Sequence, residues 1–189
     1  MKVFRSFKLP RSFHKAALAI GNFDGVHKGH TAVINKAKSI AQEKKIKLGV
    51  LTFEPHPKCF FSEKFDFFRL TNFREKFLIL KNYKVDFLVN IKFNSEFLKI
   101  SAESFILNNL IKDLNVSDVI TGFDFVFGNK KKGNVELMKS YSHKTKYFKY
   151  HEVSEIKKNN LEISSSVIRS FIRQGKIIEA NKLLARNWS

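Results

Sequence analysis

The chain has 189 residues, of which 43% are hydrophobic, and this length and composition suit one globular domain with a buried core. Its 35 Lys and Arg against 17 Asp and Glu give a formal net charge of +18 at pH 7. No apolar run reaches the roughly 18–20 residues of a membrane span, the first residues lack a signal peptide's apolar stretch, and a single cysteine excludes an internal disulfide. We therefore expect a cytoplasmic protein without a membrane partner.

Short strand-like and helix-like patterns alternate along the chain. Apolar or aromatic runs predict strands at 16–23, 47–53, 85–93, 117–123 and 145–153. Helical spacing or capping residues predict helices at 29–41, 72–82, 164–175 and 177–185. Alternation of buried strands with helices predicts an α/β fold, a Rossmann-like parallel sheet flanked by helices, in which ligands bind beyond the carboxyl ends of the strands.

One further helix is predicted between the strands at 85–93 and 117–123. Ser101 is placed to cap it, and four apolar residues fall at i, i+3, i+4 and i+7. These are Leu107, Leu110, Ile111 and Leu114. The spacing predicts that all four face the core.

The positive charge is dispersed, with short lysine clusters only at 44–47, 130–132 and 157–158. Dispersed lysines are typical of a solvated surface, and the abundance of Lys, Asn, Ile and Phe is what AT-rich codons favour. We therefore do not expect nucleic acid as a partner, although the excess charge would attract small phosphorylated anions. No pattern indicates the oligomeric state.

The stretch GNFDGVHKGH, residues 21–30, follows the first buried strand and leads into the first helix. Gly21 and Gly25 allow a tight turn and a close approach of the backbone to a ligand. The helix N-terminus that follows has unpaired N–H groups suited to phosphate. His27 and His30, three residues apart, share one face of its first turn and suit the charge of phosphoryl or nucleotidyl transfer.

Two other interpretations of these histidines remain open. With His56 and Cys59, His27 and His30 supply four possible zinc ligands at short spacings. Alternatively they are ordinary surface histidines, which the adjacent glycines and the strand-to-helix position argue against. A P-loop and a dinucleotide-binding G-x-G-x-x-G both fit the glycine pattern poorly.

GNFDGVHKGH resembles the first signature of the H-x-G-H nucleotidyltransferases. Three further motifs follow it: LTFEPHP at 51–57, TGFDFVFGNKKKG at 121–133 and ISSSVIR at 163–169. The order of the four resembles that of the bacterial FAD synthetases. These are the FMN adenylyltransferase modules of the bifunctional riboflavin kinase/FMN adenylyltransferases. The resemblance covers about residues 15–187, and four motifs in order make it specific.

The resemblance implies transfer of AMP from ATP to FMN, giving FAD and pyrophosphate, with Mg²⁺ carried on ATP. The FMN phosphate would attack the α-phosphorus of ATP directly, so that no enzyme nucleophile is needed. The implied catalytic residues are His27, His30, Ser165 and Arg169. The implied ATP-binding residues are Gly21, Asn22, Phe23, Gly25 and Ser164. The implied flavin-binding residues are Pro55, His56, Pro57, Asp124 and Phe125. No protein-borne metal site is expected.

The aromatic residues of the third motif also have an interpretation without a ligand. In a chain with 21 Phe, at least some of Phe123, Phe125 and Phe127 are expected to pack in the core. Arg169, taken without its motif, would be an ordinary solvated helix residue.

The chain departs from the family pattern in three places. Ser166 and Val167 stand where a Thr and a basic residue are usual, so a hydroxyl is kept and a cation is lost. Lysines at 130–132 replace an Arg or a small residue. The sequence also stops where the bifunctional enzymes continue into a riboflavin kinase, which leaves a separate adenylyltransferase or a shortened form of a longer one. We expect residues 1–189 to form one adenylyltransferase domain without riboflavin kinase activity.

Two alternatives compete with FMN adenylyl transfer. The first is another H-x-G-H nucleotidyltransferase that acts on a pantetheine, glycerol or choline phosphate. This alternative does not account for LTFEPHP and GFDFVFG. A basic nucleic-acid-binding module or a degenerate enzyme would explain the charge of +18, but no nucleic-acid motif supports it.

Overall fold

In the part of the chain that this computed structural model describes, residues 1–61, 68–158, 161–184 and 186–188, six parallel strands form a central sheet. They are β1 (Lys2–Phe4), β2 (Ala17–Ile20), β3 (Leu48–Glu54), β4 (Phe87–Lys92), β5 (Asp118–Gly122) and β6 (Lys149–Val153). Their order is β1-β4-β3-β2-β5-β6, and each neighbouring pair is parallel. The predicted α/β fold is confirmed.

Helices cover both faces of the sheet. They are α1 (Lys28–Lys44), α2 (Pro57–Phe61), α3 (Phe73–Asn82), α4 (Ala102–Ser104), α5 (Val135–Thr145), α6 (Ser165–Arg173) and α7 (Ile177–Leu184). The strands β7 (Lys157–Lys158) and β8 (Leu161–Glu162) pair as a separate antiparallel ladder. The last residue of the helix predicted at 177–185 lies outside the described residues. No described helix combines the length and the apolar character that a membrane crossing requires.

The inner strands β2, β3, β4 and β5 are buried on both faces because their sequences are largely apolar, whereas the edge strands β1 and β6 are partly exposed. On one face Leu18 and Ile20 pack with the elements after β4, including Leu110. On the other face Ala17 and Ala19 pack against α1. A third cluster joins α6 and α7, where Ser164 caps α6 and Gly175 beyond its end has a φ of 71°.

The helix capped by Ser101 differs from the prediction in its pitch. After one turn of α4 it becomes a π-helix over Phe105–Asp113, with five-residue hydrogen bonds such as Leu114 N–H to the Asn109 carbonyl. A π-helix turns through a smaller angle per residue than an α-helix, so different positions face the core. The buried residues are Phe105, Ile106 and Leu110. Leu107 is 43% exposed, and its predicted place in the core is wrong.

Several described elements, β1, α2 and α5 among them, carried no sequence signal that we recognised. β1 is an edge strand of three residues, and α2 is a single short helix directly after the PHP stretch. α5 has an exposed, lysine-bearing surface and buries chiefly Val135 and Met138, with Asn134 as its cap. Elements this short or this weakly amphipathic contain too few apolar positions for a periodic pattern to be detected.

Lysine occupies most of the left-handed backbone positions that are not glycine. Among described residues, positive φ values occur at Lys15, Lys45, Lys84, Lys130, Lys131 and Lys146, besides Phe23, Val26 and Asn115. Lys45 and Lys146 stand directly after α1 and α5, at positions where glycine is the usual residue.

The sheet reverses its direction of growth between β2 and β5. The chain adds β3 and β4 on one side of β2, and β6 on the far side of β5. At such a switch point the loops after the two central strands diverge and leave a crevice at the carboxyl edge. Residues 21–30 follow β2 and residues 123–128 follow β5, so both loops meet at this crevice.

Candidate functional site

A cleft of about 660 Å³ opens at the carboxyl edge of the sheet, between the loops after β2, β3 and β5 and the start of α6. It brings together most of the residues that the four motifs singled out. Lining it are Gly21, Asn22, Phe23, His27, His30, His56, Pro57, Asp124, Phe125, Ser164, Ser165 and Arg169. Two predicted site residues, Gly25 and Pro55, are not among its lining residues.

Gly25 serves packing and hydrogen bonding behind the loop. Its φ is 82°, and a Cβ there would come within 2.8 Å of Leu70 Cδ1 and 3.2 Å of Leu184 Cδ2. Its N–H donates to Thr71 Oγ1, and its carbonyl accepts from Arg186. Gly25 therefore lets the loop fold against the α6–α7 cluster, while Gly21 borders the cleft.

The two histidines of the H-x-G-H motif stack on each other at the entrance of α1. Their ring centroids are 3.7 Å apart with an interplanar angle of 20°. His27 is the N-cap of α1, and its Nδ1 accepts the backbone N–H of His30 at 3.4 Å. With Nδ1 as an acceptor, the proton of the neutral ring is on Nε2, which is then a hydrogen-bond donor. The Nδ1 atom of His30 is buried and has no partner among the described residues.

The histidines of the cleft are neutral at pH 7. Burial lowers the pKa of His27 to about 4, against a smaller opposing effect of Asp24. Burial likewise lowers the pKa of His56 to about 4. Burial, together with the electrostatic effects of the neighbouring basic side chains, His27 first among them, holds the pKa of His30 well below 6.5. A neutral imidazole keeps one N–H group, so each of these rings can donate one hydrogen bond to a ligand.

Asp24, which the sequence analysis passed over, is the centre of a buried network below the cleft. It is 2% exposed and forms an ion pair with Arg169 on α6. Its Oδ1 also accepts the N–H groups of Leu70 and Thr71 at 3.0 and 3.1 Å. Arg169 additionally donates through Nε to the Phe68 carbonyl at 2.8 Å. The arginine is thus a buried, fixed cation, which the solvated-helix interpretation does not fit.

The serines at the start of α6 already make internal contacts. Ser164 Oγ accepts the N–H of Val167 at 3.4 Å, which leaves its own hydroxyl proton available to a ligand. Ser165 Oγ donates to the Asp24 carbonyl at 2.9 Å. Ser166 Oγ lies 3.3 Å from the ammonium of Lys58, a cation that reaches across from α2. Val167 stands where a basic residue is usual in the family pattern. Its neighbour Ser166 has the positive charge of Lys58 beside it instead.

Aromatic residues of the segment after β5 also line the cleft. Phe125 and Phe127 stack with centroids 5.2 Å apart, and Phe127 is buried in the core, as expected for some of these rings. Phe123 is 42% exposed and borders the cleft beside Asp124. His56 also lines the cleft, and its Nδ1 accepts the N–H of Lys58 at 3.1 Å.

The zinc interpretation finds no support in the described residues, among which no three His, Cys, Asp or Glu side chains come together as a metal site. Cys59 is a free cysteine.

The FAD synthetase sequence model matches residues 9–167. The chain belongs to the FAD synthetase family. It is 39% identical over 191 residues to the bifunctional riboflavin kinase/FMN adenylyltransferase of Buchnera aphidicola subsp. Schizaphis graminum, covering all of this chain and 61% of that protein. It is 36% identical over 175 residues to the FAD synthetase of Listeria monocytogenes, covering 92% of this chain and 70% of that protein. This FAD synthetase family chain thus spans about three-fifths of the bifunctional Buchnera relative.

Solved structures show the same architecture. A protein described as a macrolide-efflux protein from Streptococcus pneumoniae superposes with a TM-score of 0.84 at 28% identity, over 98% of this chain and 60% of that one. Pantoate–β-alanine ligase from Francisella tularensis, solved with an ATP analogue and β-alanine, gives a TM-score of 0.52 at 14% identity, over 97% of this chain and 86% of that one. The second likeness concerns the fold alone.

Proposed function

We propose that this chain transfers AMP from ATP to FMN and releases FAD and pyrophosphate. A phosphate oxygen of FMN attacks the α-phosphorus of ATP, a new P–O bond forms, and the bond to the β-phosphate bridging oxygen breaks. The observation that carries the proposal is one cleft lined both by the stacked His27–His30 pair with the start of α6, which we call its phosphate side, and by the aromatic residues after β5, which we call its aromatic side.

The phosphate side of the cleft would hold the substrate phosphates and polarise them. His27 Nε2 offers an N–H donor, and the first turn of α6 offers unpaired backbone N–H groups with the positive end of the helix dipole. Arg169, held by its buried ion pair with Asp24, would add a preorganised cation. Fixed donors aimed at developing negative charge suit a reaction in which the substrate itself is the nucleophile.

The aromatic side would take the flavin. Pro57, His56, Phe123 and Phe125 line the cleft, and aromatic rings can stack on an isoalloxazine ring. Asp124, exposed at the cleft, could accept a hydrogen bond from the ribityl chain or the ring. Mg²⁺ would arrive bound to ATP and keep several waters, since the described residues bring no three metal-ligating side chains together.

We propose further that these 189 residues act as one adenylyltransferase domain, without riboflavin kinase activity. The family match spans residues 9–167 and so takes up most of the chain. A cytoplasmic location is part of the same proposal, because ATP and FMN are intracellular substrates.

The test is an incubation of the purified chain with FMN, ATP and MgCl₂, with a parallel sample in which riboflavin replaces FMN. Flavins and pyrophosphate are quantified after chromatographic separation. We expect FAD and pyrophosphate in equal amounts from FMN, and unchanged riboflavin in the parallel sample. Binding of ATP and FMN without FAD formation would reject the enzymatic proposal. Binding of ATP without FMN, together with turnover of another phosphorylated alcohol, would favour a different nucleotidyltransferase.

A further inference from the structure

Lys76 is a lysine buried directly behind the phosphate side of the cleft. It belongs to α3, and only 4% of the residue is exposed. Its position also opposes helix electrostatics, because it lies within the first turns of α3, near the positive end of the helix dipole. A cation kept in such a place at a cost in stability is more typical of a functional site than of a core.

The ammonium of Lys76 holds the loop that follows β2. It donates to the Asn22 carbonyl at 2.8 Å and lies 3.4 Å from Thr52 Oγ1. Thr52 Oγ1 in turn donates to the same carbonyl at 3.0 Å. Two donors therefore fix the orientation of the peptide between Asn22 and Phe23.

This orientation determines where the Phe23 amide points. In a trans peptide the C=O and N–H groups lie on opposite sides, so the Phe23 N–H is directed away from Lys76. Within the described residues that N–H has no hydrogen-bond partner, and both Asn22 and Phe23 border the cleft. The loop thus has an oriented backbone donor in front and a positive charge behind it.

The charge of Lys76 has no ion pair in the described part of the chain. The two carboxylates that act on it electrostatically, Glu54 and Asp24, are each already paired with an arginine, Arg69 and Arg169. The positive charge beneath the loop therefore remains incompletely balanced until an anion enters the cleft.

We propose that Lys76 is a positioning residue for the nucleotide phosphates, because it fixes the Asn22–Phe23 peptide from behind and adds a buried positive charge under the loop. This inference rests on the proposed function for the identity of the ligand. It predicts that the contribution of Lys76 grows with the negative charge of the nucleotide.

The experiment compares Lys76→Met, Lys76→Gln and Lys76→Arg with the exposed control Lys81→Met on the same helix. Affinities for MgATP, AMP and adenosine are measured by calorimetry, and thermal midpoints by circular dichroism. We expect Lys76→Met to weaken ATP binding by about tenfold or more, AMP less, and adenosine by less than about twofold. Its thermal midpoint should be unchanged or higher, because an apolar side chain replaces a buried charge. Lys76→Arg should recover part of the ATP affinity, and Lys81→Met should match the wild type.

Equal losses for ATP and adenosine, or no loss for ATP, would overturn the proposal. If Lys76→Met does not fold, Lys76→Gln decides, since it keeps a donor for the Asn22 carbonyl but not the charge. The binding series is independent of catalysis. A wild-type chain that forms no FAD, combined with a charge-graded loss of affinity in the variants, would therefore reject the adenylyl transfer and retain the role of Lys76.

Discussion

Asp24 and Arg169, separated by 145 positions in the chain, form a buried ion pair that joins the H-x-G-H loop to the first turns of α6. The pair explains how two distant motifs keep a fixed geometry, since each side chain also bonds backbone groups of the segment at 68–71. One carboxylate thereby sets the positions of three segments around the cleft.

Asp24→Asn should therefore damage both folding and catalysis. Removal of one partner leaves a buried arginine uncompensated, at a cost of about 3–5 kcal/mol in the free energy of unfolding. The measurement is urea unfolding of Asp24→Asn, Arg169→Gln and the double variant. We expect the double variant to lose clearly less than the sum of the single losses. Additive losses would show that the two side chains act independently.

His27→Ala should lower the rate of FAD formation by about a hundredfold or more, because it removes a preorganised donor from the phosphates. The loss of the N-cap contact to His30 should cost about 1 kcal/mol of stability, so the variant remains folded. The exposed His143→Ala on α5 is the matched control. FAD synthesis at the wild-type rate in His27→Ala would contradict the role that the geometry suggests for His27.

Stability should decline between pH 6.5 and 4. In the folded protein the pKa of both His27 and His56 is lowered to about 4, whereas in the unfolded chain these groups titrate near 6.5. Below pH 6.5 the unfolded chain binds protons that the folded chain does not, so the free energy of unfolding falls as pH drops. Unfolding curves across this range check the slope, which should be shallower in His56→Gln and unchanged in His143→Gln.

Asp124→Ala should raise the KM for FMN more than the KM for ATP, because Asp124 lines the cleft between Phe123 and Phe125, the aromatic residues that we assign to the flavin. The exposed Glu43→Ala on α1 controls for the loss of one negative surface charge. Steady-state kinetics with each substrate varied in turn give both constants. A selective loss of ATP affinity would show that the two halves of the cleft are assigned the wrong way round.

The sequence predicted the sheet, most helices and most of the cleft, because long apolar runs and four motifs are local signals. It missed what depends on contacts between distant segments. Nothing in the surroundings of Asp24 or Lys76 along the chain indicates that both are buried, since their partners come from other elements. Leu107 was misplaced because periodicity assumes an α-helical pitch, and a π-helix has another. Gly25 does not line the cleft in this structure, and the sequence could not separate the two uses of glycine, because glycine permits both close approach to a ligand and tight packing.

The lysines in left-handed backbone conformation offer a route to a more thermostable protein. A side chain with a Cβ is strained there, and glycine is not. Lys45 and Lys146 each follow a helix directly, are remote from the cleft, and make no ion pair among the described residues. Replacing either by glycine should raise the free energy of unfolding by up to about 1 kcal/mol, which calorimetric melting of the two variants would show as a higher Tm. Lysine at these two positions therefore keeps the Tm of the protein below the value that the same fold could reach with glycine.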